Sequence, residues 1–408
     1  MAVVGRRDWQ VPAGVTRTYV ATVMVRREKI RYAGAFQATP LRLSQVMGAA
    51  VVSGARAAKA ALFFLFLVLS LASNPAAGQV TPSSPSPSED VNELIARGDY
   101  EVADRVFAAE LERHPGDFRL LYNRALARYL AGQLERSREI LLSVPPADRA
   151  QVNYQVLLST VCTRLGAHKD ALPPAQEAVK LVPSDPDNWL RLGALYLRLR
   201  QGQHATDVYE TGRSLFPTRP EFLLGLGVVE QMQAKFPEAI SLFRQVVEAF
   251  PRLDAGYLFL AQVQLKAARP AEARETAEKL VRLNPRSAFA EYLAGEAAWA
   301  IPGKESEAAP HVQRALELNP RLVEALLLAA KIELRQGDPH KAVAHLKEAI
   351  AAEPRVDTGH LLLARAYRQM GDARRAESEL AAFRQLRQAE EQENQLLSNF
   401  LANGARRP

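Results

Sequence analysis

Cysteine is nearly absent from this sequence, because Cys162 is the single cysteine among 408 residues. One cysteine excludes an intrachain disulfide, and its place in a helix-like apolar pattern predicts a small buried side chain. The 7 histidines are scattered along the chain, and even His340 and His345 do not share a helix face. We therefore predict neither a reactive thiol nor a metal site.

Sequence motifs for catalysis are also missing. No glycine-rich phosphate loop follows a strand, and no strand pattern is evident anywhere. Carboxylates are frequent, but on helical surfaces such groups are usually solvated. The sequence predicts no catalytic residue and no cofactor, so we expect a protein that is not an enzyme. An enzyme with an unrecognised site remains an alternative.

Acidic residues are scarce only in the first part of the chain. The formal net charge is +7, and an excess of arginine and lysine in residues 1–46 and 47–78 accounts for it. The chain beyond residue 78 is close to neutral. Nucleic-acid binding usually requires a basic patch on the folded domain, so this distribution argues against a nucleic-acid partner.

Long apolar runs are rare, and the one that matters for targeting spans residues 60–72. Arg56 and Lys59 precede it, and the small residues Ala76, Ala77 and Gly78 follow. This order is typical of a secretory signal peptide, which we place at 47–78, and the run is short for a membrane-spanning helix. A membrane anchor at 60–72 and a buried helix remain alternatives. No cysteine follows the run, so a lipoprotein anchor is disfavoured.

The segments on either side of this run have their own character. Residues 1–46 are a basic leader that is too long for an ordinary signal-peptide start, and we hypothesise that the native chain begins at Met47. A peptide of the expressed protein from upstream of Met47 would contradict this. Residues 79–89 are rich in proline and serine and predict an extended linker. The expected location is therefore periplasmic or extracellular.

Aromatic residues make up only 7 % of the chain, whereas 48 % is apolar, a composition that favours packed helices. One stretch shows how the helices are organised. Its residues fall at the spacing of a two-helix unit, and they are Trp189, Leu192, Gly193, Tyr196, Ala205, Tyr209 and Pro217.

The same residue types return about every 34 residues, which is the period of the tetratricopeptide repeat. The recurring positions include Gly227, Ala239, Phe243, Pro251, Ala273, Pro285, Ala342 and Pro354. The chain thus resembles tetratricopeptide repeat proteins of the bacterial exported type. The resemblance implies an all-α fold, a right-handed α-solenoid of about nine stacked helix-turn-helix repeats over residues 90–390.

Several departures from the 34-residue repeat pattern predict local changes in the helices. Pro145 and Pro146 should end one second helix early, and Pro173 and Pro174 should shorten or kink the start of the next. The chain from Arg374 to about Phe400 lacks proline and glycine, so the last helix should run long. We expect residues 391–408 to form a capping helix and tail, with partner binding by Leu396, Leu397, Phe400 and Leu401 as the alternative.

The resemblance also implies where a partner binds, namely on the concave surface lined by the first helix of each repeat. The apolar and aromatic residues at the corresponding positions are Tyr122, Tyr129, Val156, Leu190, Leu197, Leu224, Val228, Leu258, Tyr292, Trp299, Leu327 and Leu361. The lysine and asparagine ladder of family members that clamp a C-terminal carboxylate is missing. A basic cluster is formed by Lys331, Arg365 and Arg368, although cations near helix ends are common for electrostatic reasons.

We therefore expect a non-catalytic scaffold that binds another protein or peptide in the cell envelope. The alternative is an accessory or regulatory subunit of an envelope enzyme, such as one that processes polysaccharide. Membrane association through the N-terminal apolar segment is a further expectation. The sequence predicts neither the partner's identity nor the oligomeric state.

Overall fold

A computed structural model describes residues 94–95 and 97–404, and every regular element in that part of the chain is helical. The predicted leader, signal peptide and linker lie outside the described residues. Among the described residues, no helix combines the length and the apolar character needed to cross a membrane.

The described chain contains 17 α-helices that alternate between a first helix, A, and a second helix, B. The A helices are α2 (Phe118–Leu130), α4 (Val152–Arg164), α6 (Pro186–Arg198), α8 (Pro220–Met232), α10 (Asp254–Lys266), α12 (Ala288–Ala300), α14 (Val323–Gln336) and α16 (Asp357–Gln369). The B helices are α1 (Tyr100–Arg113), α3 (Leu134–Ser143), α5 (His168–Leu181), α7 (Gly202–Leu215), α9 (Phe236–Ala249), α11 (Pro270–Leu283), α13 (Ala308–Leu318), α15 (Pro339–Ala352) and α17 (Ala373–Gly404). Repeats are numbered 1 to 9 by their B helices. This is the α-solenoid that the sequence predicts.

Proline ends most B helices, as predicted. The residue before proline is disfavoured in the helical region, because its backbone meets the proline ring. In seven repeats this residue is the cap of helix B, with φ between −128° and −145°. These caps are His114, Val182, Phe216, Phe250, Asn284, Asn319 and Glu353.

The turn between helix A and helix B requires one residue in the left-handed region. Glycine occupies this position in six of the repeats, at Gly98, Gly132, Gly166, Gly303, Gly337 and Gly371. Repeats 4 to 6 make the same turn without glycine, and φ is +57° at Arg200, +59° at Ala234 and +56° at Ala268. The turn is therefore imposed by the packing of the two helices even where a side chain strains it.

Helix A crosses helix B most closely where a small residue faces a large one. A Cβ atom added at Gly193 would lie 2.6 Å from Cζ of Tyr209, and one added at Gly227 would lie 2.6 Å from Cζ of Phe243. Both rings are fully buried. Glycine is therefore required wherever the facing residue of helix B is aromatic.

The facing residue of helix B is not aromatic in the other repeats, and helix A carries alanine or serine there except in repeat 7, where a Cβ added at Gly295 would lie 3.0 Å from Cγ2 of Val312. Ala330 is buried together with Leu346 in repeat 8. In repeat 3 the small residue is Ser159, whose hydroxyl donates to the carbonyl oxygen of Ala171 at 3.0 Å. Alanine or serine on helix A is thus accommodated at the crossing where the facing residue is smaller than an aromatic ring.

One buried core connects most of the array. It runs from Cys162, which is 1 % exposed, to Ile332, and it includes the rings of Tyr209, Phe243 and Phe259. Cys162 is therefore the small buried side chain that the sequence predicts. The stacking of Phe243 on Phe259, with ring centroids 5.4 Å apart, joins repeat 5 to repeat 6. Each repeat thus buries its apolar face against a neighbour, as expected for a solenoid.

The two proline pairs behave differently. Pro145 and Pro146 end helix α3 after 10 residues, as predicted. Helix α5 contains Pro173 and Pro174 and still has 14 residues, the length of the regular B helices α7 and α9, so the predicted shortening is wrong, and the alternative of a kink stays a prediction. Pro174 is itself buried among the apolar residues of this helix. Its packing thus compensates for the missing backbone donors.

The last helix runs long, as the absence of proline and glycine predicts. Helix α17 has 32 residues and continues through the predicted boundary between the solenoid and residues 391–408. The side chains of Leu396, Leu397, Phe400 and Leu401 lie outside the described set, so the capping role remains a prediction.

The Gly193–Tyr209 crossing gives the first prediction. Gly193→Ala should lower the free energy of unfolding by about 1 kcal/mol, because overpacking outweighs the gain in helix propensity. Tyr209→Leu in the same chain should restore much of the loss, since leucine faces alanine in repeat 8. Urea unfolding of the two single variants and the double variant, followed by far-UV circular dichroism, gives the coupling energy. Strict additivity would contradict the paired-volume interpretation.

The strained turns give the second prediction. Ala234→Gly should raise the free energy of unfolding by roughly 0.5–1 kcal/mol, because the left-handed conformation disfavours alanine. Ala234 is exposed, so no packing is lost. The reverse change, Gly132→Ala, serves as the control: a Cβ there meets nothing within 4 Å, and destabilisation would come from the backbone alone. Thermal unfolding of both variants measures the effect, and a lower stability for Ala234→Gly would refute it.

Candidate partner-binding surface

The predicted groove residues fall into two groups, and the first group is buried. Leu190 and Leu197 are each 1 % exposed and Leu224 is 0 % exposed, because the helices of repeats 4 and 5 pack over them. Tyr292 is 5 % exposed. The structure therefore places these four side chains in the core between repeats, and their contact with a partner is not available in this arrangement.

Tyr122, Tyr129 and Trp299 form the second group, and they are half-buried. The guanidinium carbon of Arg164 lies 5.0 Å from the ring centroid of Tyr129. That of Arg335 lies 5.2 Å from the ring centroid of Trp299. Each cation belongs to the A helix of the next repeat, so aromatic and basic side chains form mixed patches across neighbouring repeats.

Trp299 is the best-supported member of these patches. Arg335, which covers its ring, also donates to Glu305 at 2.9 Å. The ring is thereby fixed against Arg335 of α14, and it remains half-buried. A half-buried aromatic side chain that is already fixed loses little conformational entropy on binding.

A polar cluster lies on the A helices of repeats 6 to 8. The hydroxyl of Tyr292 donates to Oε2 of Glu296 at 2.5 Å. Desolvation raises the pKa of Glu296, and the positive charges of Lys331 and Lys266 act against that rise. Burial, together with the charges of Glu296 and Glu324, raises the pKa of Tyr292 well above its usual value. Three consecutive A helices thus contribute charged groups to one surface.

Lys266 is exposed and yet poorly hydrated. Desolvation by the surrounding protein lowers its pKa to about 8, and the charge of Glu296 partly opposes this shift. A side chain that is open to solvent but surrounded by protein atoms lies in a concave part of the surface. No carboxylate in the described part of the chain lies within ion-pair distance of this lysine.

Two positions of repeat 9 that are apolar and buried in repeat 8 are exposed, and one of them is basic. Arg368 takes the place that Leu334, 3 % exposed, has in repeat 8, and Leu361, 43 % exposed, takes the place of Leu327, 4 % exposed. Both Arg365 and Arg368 are exposed, and Lys331 is half-buried. Since α16 is the last A helix of the described array, no further A helix covers these positions. The side chains of Arg365 and Arg368 therefore remain exposed at this end of the described array.

The sequence pattern located Lys331, Arg365 and Arg368 but missed Glu296. The signal was present, because Glu296, Lys331 and Arg365 occupy equivalent positions in repeats 7, 8 and 9 once the extra residue of repeat 7 is counted. In the described residues, no group of three or more histidine, cysteine, aspartate or glutamate side chains is arranged to hold a metal ion.

Comparison with known proteins agrees with this architecture. Two sequence models of the tetratricopeptide repeat match the chain, one at residues 232–296 and 333–397 and the other at residues 91–152 and 303–357. Together they cover more than half of it. The chain is a tetratricopeptide repeat protein. No curated protein matches this member of the family significantly in sequence.

Several solved structures are similar to parts of this chain. A tetratricopeptide repeat protein from Parabacteroides merdae ATCC 43184 is 17 % identical, with a TM-score of 0.50 over 68 % of this chain and 96 % of that one. The Cut9-Hcn1 hetero-tetramer of the APC/C is 15 % identical, with a TM-score of 0.48 over 86 % of this chain and 63 % of that one. YrrB, described as a TPR protein with an unusual peptide-binding site, is 20 % identical, with a TM-score of 0.35 over 45 % of this chain and 95 % of that one.

The environment of Lys266 gives the third prediction. Its amine should react with an acylating reagent with half-maximal rate near pH 8, the value to which desolvation lowers its pKa. Glu296→Gln should move that midpoint to lower pH, because it removes the negative charge that raises the pKa of Lys266. Competitive labelling read by mass spectrometry gives the midpoint. Lys279, which is exposed on helix α11, provides the internal reference, and equal midpoints for Lys266 with and without Glu296 would contradict the assignment.

Proposed function

We propose that this tetratricopeptide repeat protein is a non-catalytic scaffold that binds another protein or peptide through its A helices. The observation that supports this most directly is the series of half-buried aromatic and basic side chains on neighbouring A helices, ending in Lys331, Arg365 and Arg368. Repeats of this family typically bind protein or peptide partners.

The binding surface comprises the residues that remain accessible. Tyr122, Tyr129 and Trp299 offer aromatic anchors, which are enriched in energetically important contacts. Lys331, Arg365 and Arg368 have no carboxylate within ion-pair distance among the described residues. The partner therefore carries apolar side chains for the first group and carboxylates for the second.

The proposed site of action is the cell envelope. The support for it comes from the sequence, in the basic residues, apolar run and small residues of segment 47–78, which lies outside the described residues. The proline- and serine-rich segment 79–89 then separates the solenoid from the cleavage site, or from the membrane if residues 60–72 serve as an anchor.

The second candidate is an accessory or regulatory subunit of an envelope enzyme, such as a polysaccharide-processing complex. It uses the same surface and differs only in the class of the partner. Affinity capture from envelope extract, followed by mass spectrometry, separates the two, because a captured enzyme identifies itself. Capture of non-enzymatic proteins alone supports the scaffold.

The surface gives the fourth prediction. Lys331→Ala, Arg365→Ala and Arg368→Ala in one chain should weaken partner capture roughly tenfold, and Trp299→Ala should do so independently. A chain with Arg213→Ala, Lys279→Ala and Arg282→Ala is the matched control, since it loses the same charge from exposed positions on B helices. Binding is measured with purified variants after their circular dichroism is shown to be unchanged. Equal capture by all three chains would rule out this surface.

A further inference from the structure

Cations are balanced at one edge of the solenoid and unbalanced at the other. Helices A and B of a repeat run in opposite directions, so the A–B turns lie at one edge and the loops from helix B to the next helix A lie at the other. At the edge of the A–B turns, Lys235 lies 3.3 Å from Glu230. In the next repeat, Arg269 lies 3.5 Å from Glu272. Each of these two turns therefore carries its own counter-charge.

The loops at the opposite edge carry arginines without such partners. An arginine follows the proline in the loops that leave repeats 5, 6 and 7, and these residues are Arg252, Arg286 and Arg321. All three side chains are exposed, and none lies within ion-pair distance of a carboxylate in the described part of the chain. Asp254 is close to Arg252 in the sequence, but it accepts a hydrogen bond from Asn284 at 2.8 Å.

The last turn of each B helix changes the charge along this edge. Glu248 and Glu317 are exposed there on α9 and α13, and they reduce the positive charge of repeats 5 and 7. Arg282 takes the equivalent place in repeat 6 and is also exposed. The edge is therefore most positive at repeat 6, where Arg282 and Arg286 flank Leu283 in the sequence.

Exposed apolar side chains accompany the arginines. Leu215 ends α7 and Leu283 ends α11, and they are 52 % and 37 % exposed. The dipole of a helix favours a cation in its last turn, so local electrostatics does not explain a leucine there. Tyr257 lies at the same edge, because its hydroxyl donates to the carbonyl oxygen of Pro251 at 3.2 Å. Arginine, leucine and tyrosine side chains thus share one edge.

We propose that this edge binds the surface of an anionic lipid bilayer. It is called the B–A edge below and is defined by Leu215, Arg252, Leu283, Arg286 and Arg321. A guanidinium group binds a lipid phosphate through two parallel hydrogen bonds, and basic side chains are attracted to anionic leaflets. The leucines bury apolar surface at the boundary between headgroups and acyl chains, where tyrosine is also favoured. This contact is separate from the groove of the A helices and does not depend on the function proposed for it.

A bilayer fits the B–A edge better than other anionic partners do. An extended peptide binds in a groove or along the edge of a sheet, and separate loops provide neither. A nucleic-acid backbone supplies phosphates, but it gives the exposed leucines little apolar surface to contact. A lipid surface supplies phosphates and hydrocarbon together, and it is reached by side chains that protrude from loops.

A tryptophan at each edge tests the orientation of the bound chain. In the full chain with Trp9→Phe, Trp189→Phe and Trp299→Phe, the change Tyr257→Trp places one reporter at the B–A edge. Tryptophan is compatible with this position, since Trp189 occupies it in repeat 4 and donates to Pro183 at 2.9 Å. A second chain keeps only Trp299, which lies near the end of α12 and therefore towards the A–B turns.

Vesicles of phosphatidylglycerol and brominated phosphatidylcholine quench a tryptophan that contacts the lipid. The reporter at position 257 should be quenched strongly on these vesicles and much less on brominated phosphatidylcholine alone, because the attraction requires anionic lipid. Trp299 should be quenched less than the reporter at position 257. A membrane contact made only by residues 60–72 would not distinguish the two reporters.

Removal of the three arginines tests their part in this contact. Arg252→Ala, Arg286→Ala and Arg321→Ala, added to the Tyr257→Trp chain, should raise the lipid concentration for half-maximal quenching by roughly tenfold or more. Circular dichroism shows whether the variant folds. If it folds less well, sodium chloride at about 0.5 M in the Tyr257→Trp chain without these changes should cause a similar loss by screening.

The matched control removes three exposed cations from the opposite edge, by Arg200→Ala, Lys235→Ala and Arg269→Ala. It has the same net charge as the first variant and should keep nearly all of the binding. Equal quenching of the two reporters, or equal loss in the two triple variants, would overturn the proposal. Binding of soluble polyglutamate through the three arginines, without quenching at position 257 on vesicles, would assign the B–A edge to an acidic protein and would also overturn it.

Discussion

The close crossing of helix A on helix B is the constraint on which the rest of the solenoid depends. At Gly193 and Gly227 there is no room for a Cβ, because the rings of Tyr209 and Phe243 occupy that space. This fixes the distance between the two helices, and the turn between them must then place one residue in the left-handed region. The cost is visible at Arg200, Ala234 and Ala268, where the turn adopts positive φ without glycine. Packing at the crossing therefore determines the backbone of the turn and outweighs its local preference.

A helix-A position is core or surface according to whether a further A helix covers it. Leu327 and Leu334 are buried in repeat 8, whereas the equivalent Leu361 and Arg368 are exposed in repeat 9. The exposed charge of the C-terminal basic cluster therefore has two consequences. Charge at an uncovered end disfavours the stacking of another apolar face, and the same charge belongs to the surface that we propose for an acidic partner.

The repeat spacing was sufficient to predict the family, the helix pairs and the architectural role of Gly193, Ala205 and Pro217, because these depend on local sterics. It was not sufficient to predict which groove residues are accessible. Leu190, Leu197 and Leu224 match binding positions of the family but are buried here by neighbouring repeats. Periodicity gives the face of a helix, whereas the tightness of stacking decides whether that face is accessible. The predicted shortening of α5 by Pro173 and Pro174 was wrong for a similar reason. Tertiary packing stabilises a full-length helix there, although the local rules for proline predict a shorter one.

The buried acidic side chains reveal how the ends of the array differ from its middle. Among the described residues, buried carboxylates occur at Asp104, Glu291, Glu324 and Asp357, which belong to repeats 1, 7, 8 and 9. Asp104 pairs with Arg124 at 2.9 Å and also with Arg128, and it thereby ties the first B helix to the next repeat. In repeats 7 and 8 the buried glutamates lie on α12 and α14, which also bury many apolar residues, so hydrogen-bonded charges there add to the apolar contacts and do not replace them. Such a contact depends on both of its partners, because the loss of one leaves an uncompensated buried charge, whereas a shortened apolar side chain leaves only a cavity.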